Sequence, residues 1–168
     1  DNIIPFEPLW EQYNRIIKDN GAIVLFSDEP FTSLLITSNL KYYKYYWIWE
    51  KEQGKNFQLV KRQPLKKTES VCVFYKKTPL YNPQGITKLE KPIIKSNKGK
   101  GGKLEHLSSE KKRKTYIQEF TNYPNNILKF NAERGFHPTQ KPTKLLEYLI
   151  KTYTNEGETV LDNCMGSG

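Results

Sequence analysis

Apolar residues recur along the chain in two rhythms. Leu9, Trp10, Tyr13, Ile16 and Ile17 fall at helical spacing, and Asn20-Gly21 follows as a left-handed helix stop. Ala22–Phe26 is a continuous apolar run of strand length. It predicts a strand buried on both faces, as in a parallel sheet. Ser27 or Asp28 is placed to cap a second helix, with Pro30 near its first turn and Phe31, Leu34 and Leu35 as its apolar stripe. Tyr42–Trp49 and Val71–Tyr75 predict two further strands, and ordered structure is expected to resume at Ile127–Phe130. Pro142 opens a third helix, with Leu145, Leu146, Leu149, Ile150 and Tyr153 on one face. Asn155–Glu158 predicts a turn and Thr159–Leu161 a last strand. Helices and strands alternating in this way place the chain in the α/β class.

Between these patterned ends the character changes. Residues 85–117 hold ten basic side chains against three acidic ones, with Gly99, Gly101 and Gly102 among them and few large apolar residues. Such a stretch cannot build a core of its own and is expected to be mobile when alone. Because it interrupts an otherwise patterned chain, it reads as a flexible basic arm that closes on phosphates rather than a solvated insert. Lys95, Lys98, Lys100, Lys103, Lys111, Lys112, Arg113 and Lys114 are its candidate DNA contacts. The expected organisation is an α/β segment over 1–76, the basic insert over 77–123 and a third segment over 124–168.

Charge supports a polyanionic partner. The net charge is +9, which favours nucleic acid first and an anionic membrane surface second. No apolar run approaches membrane-spanning length. The two cysteines, Cys72 and Cys164, lie far apart and form neither a disulfide framework nor a zinc spacing. Cys72, in an apolar run, is expected to be a buried thiol, and a reducing compartment is the default.

Two short segments carry the candidate chemistry. Val160–Gly168 reads VLDNCMGSG, an apolar run, an acid and then Gly-Ser-Gly. Glycines after a strand let backbone N–H groups approach a nucleotide-type ligand closely. The loop has no lysine of the triphosphate-binding kind, and Asp162 at the end of the strand would repel a pyrophosphate. The same acid suits a ligand bearing a cationic or amino group, and S-adenosylmethionine offers a sulfonium, an α-amino group and ribose hydroxyls. The second segment is Phe136-His137-Pro138-Thr139-Gln140-Lys141-Pro142, in which two prolines stiffen a run of donor side chains just ahead of a helix.

FHPTQKP, a helix and then VLDNCMGSG resemble the cofactor half of the DNA amino-methyltransferases of the β arrangement. In these enzymes the catalytic half comes first, a target-recognition insert second and the cofactor half last. NGAIVLFSDEPF, YWIWEK and ESVCVFYK resemble the blocks of the catalytic half, so the likeness covers nearly the whole chain. The resemblance implies a Rossmann-like methyltransferase sheet, incomplete and in permuted order, with a basic loop-rich insert. It implies S-adenosylmethionine as cofactor and double-stranded DNA as partner, with adenine, less readily cytosine, receiving the methyl group. It assigns Asp162, Asn163, Gly166, Ser167 and Gly168 to the cofactor loop. His137, Thr139 and Lys141 would close over the cofactor, with Lys141 near its methionine carboxylate. A cytoplasmic protein of bacterial or phage origin is implied, no membrane is involved, and a homodimer is left open. The family's catalytic tetrapeptide, an acid or Ser, Pro or similar, Pro and Tyr, does not occur in these residues and is expected upstream of Asp1.

Two other readings stand beside this one. A non-catalytic nucleic-acid-binding module would use the insert for phosphates and Tyr42–Trp49 as a stacking platform. The alternation of that stretch favours a strand with one buried face instead. A dinucleotide enzyme would need a third glycine, which the loop does not reach.

Overall fold

The computed structural model describes residues 3–96, 115–133 and 140–164. They divide into two compact units, one made of residues 1–82 and 125–168 and the other of residues 83–124.

The larger unit is a four-stranded sheet covered by helices on both faces. Its strands are β1 (Ile23–Ser27), β2 (Tyr43–Lys55), β3 (Lys66–Phe74) and β6 (Ile127–Lys129), in the order β1-β3-β2-β6. β3 returns from β2 and inserts between β1 and β2, antiparallel to both, while β6 lies parallel to β2. The sequence had predicted parallel neighbours for β1. Its only partner among the described residues is antiparallel, because β1 runs the same way as β2 and β3 turns back from β2 through a hairpin before pairing with both. Both faces are covered, though only in part: Ile23 and Leu25 are half-buried against one core cluster, Val24 and Phe26 against the other.

Helices α1 (Phe6–Ile16) and α2 (Phe31–Ser38) pack on one face through Trp10 and Leu35 against Cys72 and Phe74. Cys72 is buried there as a free thiol. Helix α3 (Thr143–Tyr153) packs on the other face through Leu145, Leu149 and Tyr153 against Trp47, Trp49, Val71 and Val73. The period of two in β2 decides the fate of its aromatics. Trp47 and Trp49 are core residues rather than a stacking platform, and the alternate position Tyr46 is exposed. Tyr153 stabilises this core with its hydroxyl, which accepts from Trp47 Nε1 at 2.7 Å and shares a hydrogen bond with Tyr45 at 2.8 Å. Burial pushes its ionisation far above the ordinary tyrosine range.

Several local expectations are corrected. Gly21 does not adopt a left-handed conformation; it packs closely on Ile17, whose side chain would have to shift to admit a Cβ there. Neither Ser27 nor Asp28 caps α2 with its side chain. Glu29 does so, accepting from Ser33 N at 3.4 Å and Ser33 Oγ at 2.8 Å. Ile16, Leu34 and Ile150, placed by periodicity on buried faces, are exposed. The turn at 155–158 forms, with Gly157 at φ 82°. Thr159–Leu161 is not a strand, and Val160 and Leu161 are exposed. A strand needs a ladder partner, and no described strand lies beside this one.

The smaller unit corrects the expectation of an unstructured insert. Strands β4 (Thr87–Ser96) and β5 (Thr115–Thr121) form an antiparallel pair, with Ile94 opposite Ile117 and Lys95 opposite Tyr116. The ladder is interrupted between Lys88 and Ile93, and Pro92, which has no N–H to donate, falls in that interruption. Asn122 Nδ2 donates to Gly85 O at 2.6 Å and closes the base, both residues having positive φ. No described residue of the pair is buried, so backbone pairing holds it without a core. Among the described residues no helix is long and apolar enough to cross a membrane.

Tyr153→Phe would leave Trp47 Nε1 and the Tyr45 hydroxyl without their buried partner and is expected to cost about 2 kcal/mol. Urea unfolding of the variant should show a lower midpoint at unchanged slope. A midpoint equal to wild type would contradict the network.

Candidate functional site

β1, β2 and β6 all run in one direction, so their carboxyl ends define one edge of the sheet. Open α/β sheets bind ligands outside that edge. The start of β3, from Lys66 to Glu69, lies at the same edge because β3 runs the opposite way.

Charged side chains concentrate there. Lys51 occupies the inward face of β2, in phase with Trp47 and Trp49, and is only 6% exposed. A buried ammonium must be paired, and Lys51 donates to Glu69 Oε1, directly beyond Trp49 on β3. Lys141 Nζ lies 3.0 Å from the other oxygen of the same carboxylate. It also stands 5.3 Å from the Phe26 ring and 5.8 Å from the Trp49 ring. Burial would raise the Glu69 pKa, but the hydrogen bonds from Lys51 and Lys141 outweigh it and hold the carboxyl below its ordinary value.

The segment before Gln140 is anchored to the same edge. Phe130 O accepts from Trp49 Nε1 at 2.8 Å, and Ala132 N donates to Glu52 Oε2 at 2.7 Å. Glu133 then caps α3, accepting from Thr143 Oγ1 at 2.9 Å, and its carboxyl is held low by the backbone and side-chain hydrogen bonds of Thr143. Residues 130–133 and 140–143, the two flanks of the FHPTQKP segment, are thus both tied to the sheet edge or to α3. Gln140 hydrogen-bonds Glu133, while its Oε1 is buried with no partner among the described residues.

The acidic turn is set by a different helix. Asp162 Oδ1 accepts from Cys164 N at 2.8 Å, and the Asn163 side chain meets the Tyr13 hydroxyl of α1 at 3.2–3.3 Å. Lys18 pairs with Glu158 at 3.4 Å, so residues 158–163 follow α1 back toward its N-terminus.

Of the sequence-predicted site residues, Lys141, Asp162, Asn163 and Lys95 are described. Lys141 is engaged by Glu69; Asp162 and Asn163 are engaged within their turn and by Tyr13. No hydrogen bond joins the two groups among the described residues. Lys95 is exposed on β4. His137, Thr139, Gly166, Ser167 and Gly168 lie outside the described residues, as do Lys98, Lys100, Lys103, Lys111, Lys112, Arg113 and Lys114. Sequence reasoning missed Glu69, Lys51 and Glu133. The signal for the first two was present: each is a charge at a core-facing position of an alternating strand, where a partner is obligatory.

Residues 5–168 match the family model described as DNA methylase, of the N6/N4 methyltransferases. The chain belongs to the DNA methylase family. It is 27% identical to the type II methyltransferase M.HpaI of Haemophilus parainfluenzae over 176 aligned positions, covering 98% of the chain and 49% of that protein. The crystal structure of the M1.HpyAVI–SAM complex superposes with a TM-score of 0.56 at 22% identity, over 92% of this chain and 62% of the other. The fold is therefore the Rossmann-like one of this methylase structure. The chain spans about half the length of M.HpaI.

The described groups fit a nucleoside cofactor with amino and hydroxyl donors. Asp162 supplies a carboxylate held in a tight turn, and Gln140 Oε1 is a buried acceptor with no donor among the described residues. No cluster of metal-ligating side chains occurs among the described residues.

Glu69→Gln is expected to destabilise this methylase chain by about 3 kcal/mol at neutral pH, because Lys51 is left buried without its counter-charge. Glu69 has a depressed folded pKa, so its contribution is full above the ordinary value of 4.5 and is lost as pH falls through the lower folded value. Urea titrations at pH 7, 4 and 3 should show the gap between variant and wild type closing on acidification. A gap independent of pH would contradict the ion-pair account.

Proposed function

We propose that this chain is the cofactor-binding and target-recognition portion of an S-adenosylmethionine-dependent DNA methyltransferase. The methyl acceptor is the exocyclic amino group of adenine, with cytosine the less favoured alternative. The observation that carries this reading is the anchoring of both flanks of the FHPTQKP segment at the sheet's carboxyl edge. It is supported by the family match and by the nature of the relatives, a type II methyltransferase and a complex with SAM.

In this proposal the bound cofactor supplies an electrophilic methyl group on a sulfonium. Asp162, with Asn163 and the Gly166-Ser167-Gly168 backbone, receives its amino- and hydroxyl-bearing parts. His137, Thr139 and Lys141 would close over it from the other side, Lys141 being paired with Glu69. The target amine is unreachable inside a stacked duplex, so the base leaves the helix before transfer. Alignment of its nitrogen with the methyl group then supplies much of the rate. Lys95 and the other basic residues of 98–114 hold phosphates, consistent with a charge of +9. A methyltransferase paired with a restriction enzyme, in a bacterial or phage-infected cytoplasm, is the setting that suits these features.

Calorimetry on the full-length protein that carries this chain tests the reading. S-adenosylhomocysteine should bind and NAD should not, and Asp162→Ala should weaken S-adenosylhomocysteine about tenfold or more, the loss of a charge-assisted hydrogen bond. Nucleoside analysis of DNA incubated with S-adenosylmethionine should yield N6-methyladenine. Binding of NAD instead would overturn the proposal. Binding of DNA with neither ligand would favour the non-catalytic module.

A further inference from the structure

The β2–β3 hairpin runs past the sheet's carboxyl edge and ends in a tip whose composition differs from the rest of the larger unit. Residues 53–67 contain five basic side chains, Lys55, Lys61, Arg62, Lys66 and Lys67, and no acidic one. The tip is nevertheless built rather than loose. Asn56 takes a left-handed conformation at φ 67° and starts a 3-10 turn at Phe57–Leu59, which is closed by Arg62 N and Gln63 N donating to Leu59 O at 2.8 and 3.0 Å. Gly54 allows close packing beneath it, since a Cβ there would sit 2.7 Å from Leu65.

Two features set this tip apart as a surface. Lys66 pairs with Asp28 and Lys67 with Glu50, whereas Lys55, Lys61 and Arg62 have no counter-charge among the described residues. Phe57 is 75% exposed at the apex, with Leu59 and Val60 exposed beside it. A polyanion matches the first and a surface of sugars and base edges covers the second. Basic side chains around an apolar wedge are how proteins grip duplex DNA next to a deformed step.

We infer that the β2–β3 tip is a second contact with double-stranded DNA, separate from the basic insert. Lys55, Lys61 and Arg62 lie on phosphates and Phe57 against the groove, next to the edge of the sheet to which the flanks of the FHPTQKP segment are tied. The inference rests on the DNA-methyltransferase reading above and adds a surface that reading does not use. Placed there, the tip holds the duplex beside the site from which a base must be extruded.

The test is fluorescence anisotropy of a labelled duplex with the full-length protein over a series of salt concentrations. Wild type is compared with the triple variant Lys55→Gln, Lys61→Gln, Arg62→Gln. Each phosphate contact contributes about 0.9 to the slope of log affinity against log salt, so the triple variant should lose about 2 to 3 from that slope. Its S-adenosylhomocysteine affinity and unfolding midpoint should be unchanged. A Phe57→Trp variant should show altered fluorescence on adding duplex. An unchanged salt slope overturns the inference and leaves the methyltransferase reading intact. So does an unchanged slope accompanied by a change in oligomeric state, which would assign the tip to a contact between copies. Wild type that binds no duplex at any salt overturns both.

Discussion

One carboxylate, Glu69, holds two lysines that come from distant parts of the sequence. Lys51 belongs to the neighbouring strand and Lys141 to the segment before α3. Neither lysine could stay in its apolar surroundings without a counter-charge, since desolvating an unpaired ammonium costs far more than a typical packing contact returns. The pairing therefore fixes two things together. It lets β2 carry a charge on its core face, and it fastens the C-terminal flank of FHPTQKP to the edge of the sheet. The other flank is fastened by Trp49, Glu52 and Glu133. A segment of donor side chains is thus held at both ends while α3 starts in the correct direction.

The insertion of β3 between β1 and β2 gives that arrangement its location. Three strands run the same way and end at one edge, and the reversed strand begins there. The β2–β3 hairpin must then project from the same edge, bringing its basic tip with it. Apolar contacts make the body of the unit, while most polar chemistry gathers at one rim. This division suits a family whose members must hold a small cofactor and a large polyanion together.

Much of this was legible in the sequence. Ala22–Phe26 and Val71–Tyr75 were read as apolar runs, Tyr42–Trp49 from its aromatic residues and the helix after Pro142 from its periodicity. The direction of β3 was not legible, since an apolar run looks the same parallel or antiparallel and only the hairpin decides. The pairing of 87–96 with 115–121 was hidden by lysines that obscure the alternation of Ile93, Ile94, Tyr116 and Ile117. The expected strand at 159–161 has the right residues but no ladder partner among the described ones. At the candidate site, Asp162 and Lys141 were singled out from motif, whereas Glu69 and Glu133 were missed because their partners are remote in sequence. Lys51 and Glu69 could have been suspected as charges in phase with buried positions.

The central claim is that the carboxyl edge of this sheet holds the methyl donor. Hydrogen–deuterium exchange of the full-length protein with and without S-adenosylhomocysteine tests it most directly. The account predicts slowed exchange at residues 136–143 and 160–168, with residues 18–23 and 155–158 at the opposite edge unaffected. Protection confined to that opposite edge, or none at saturating ligand, would contradict it.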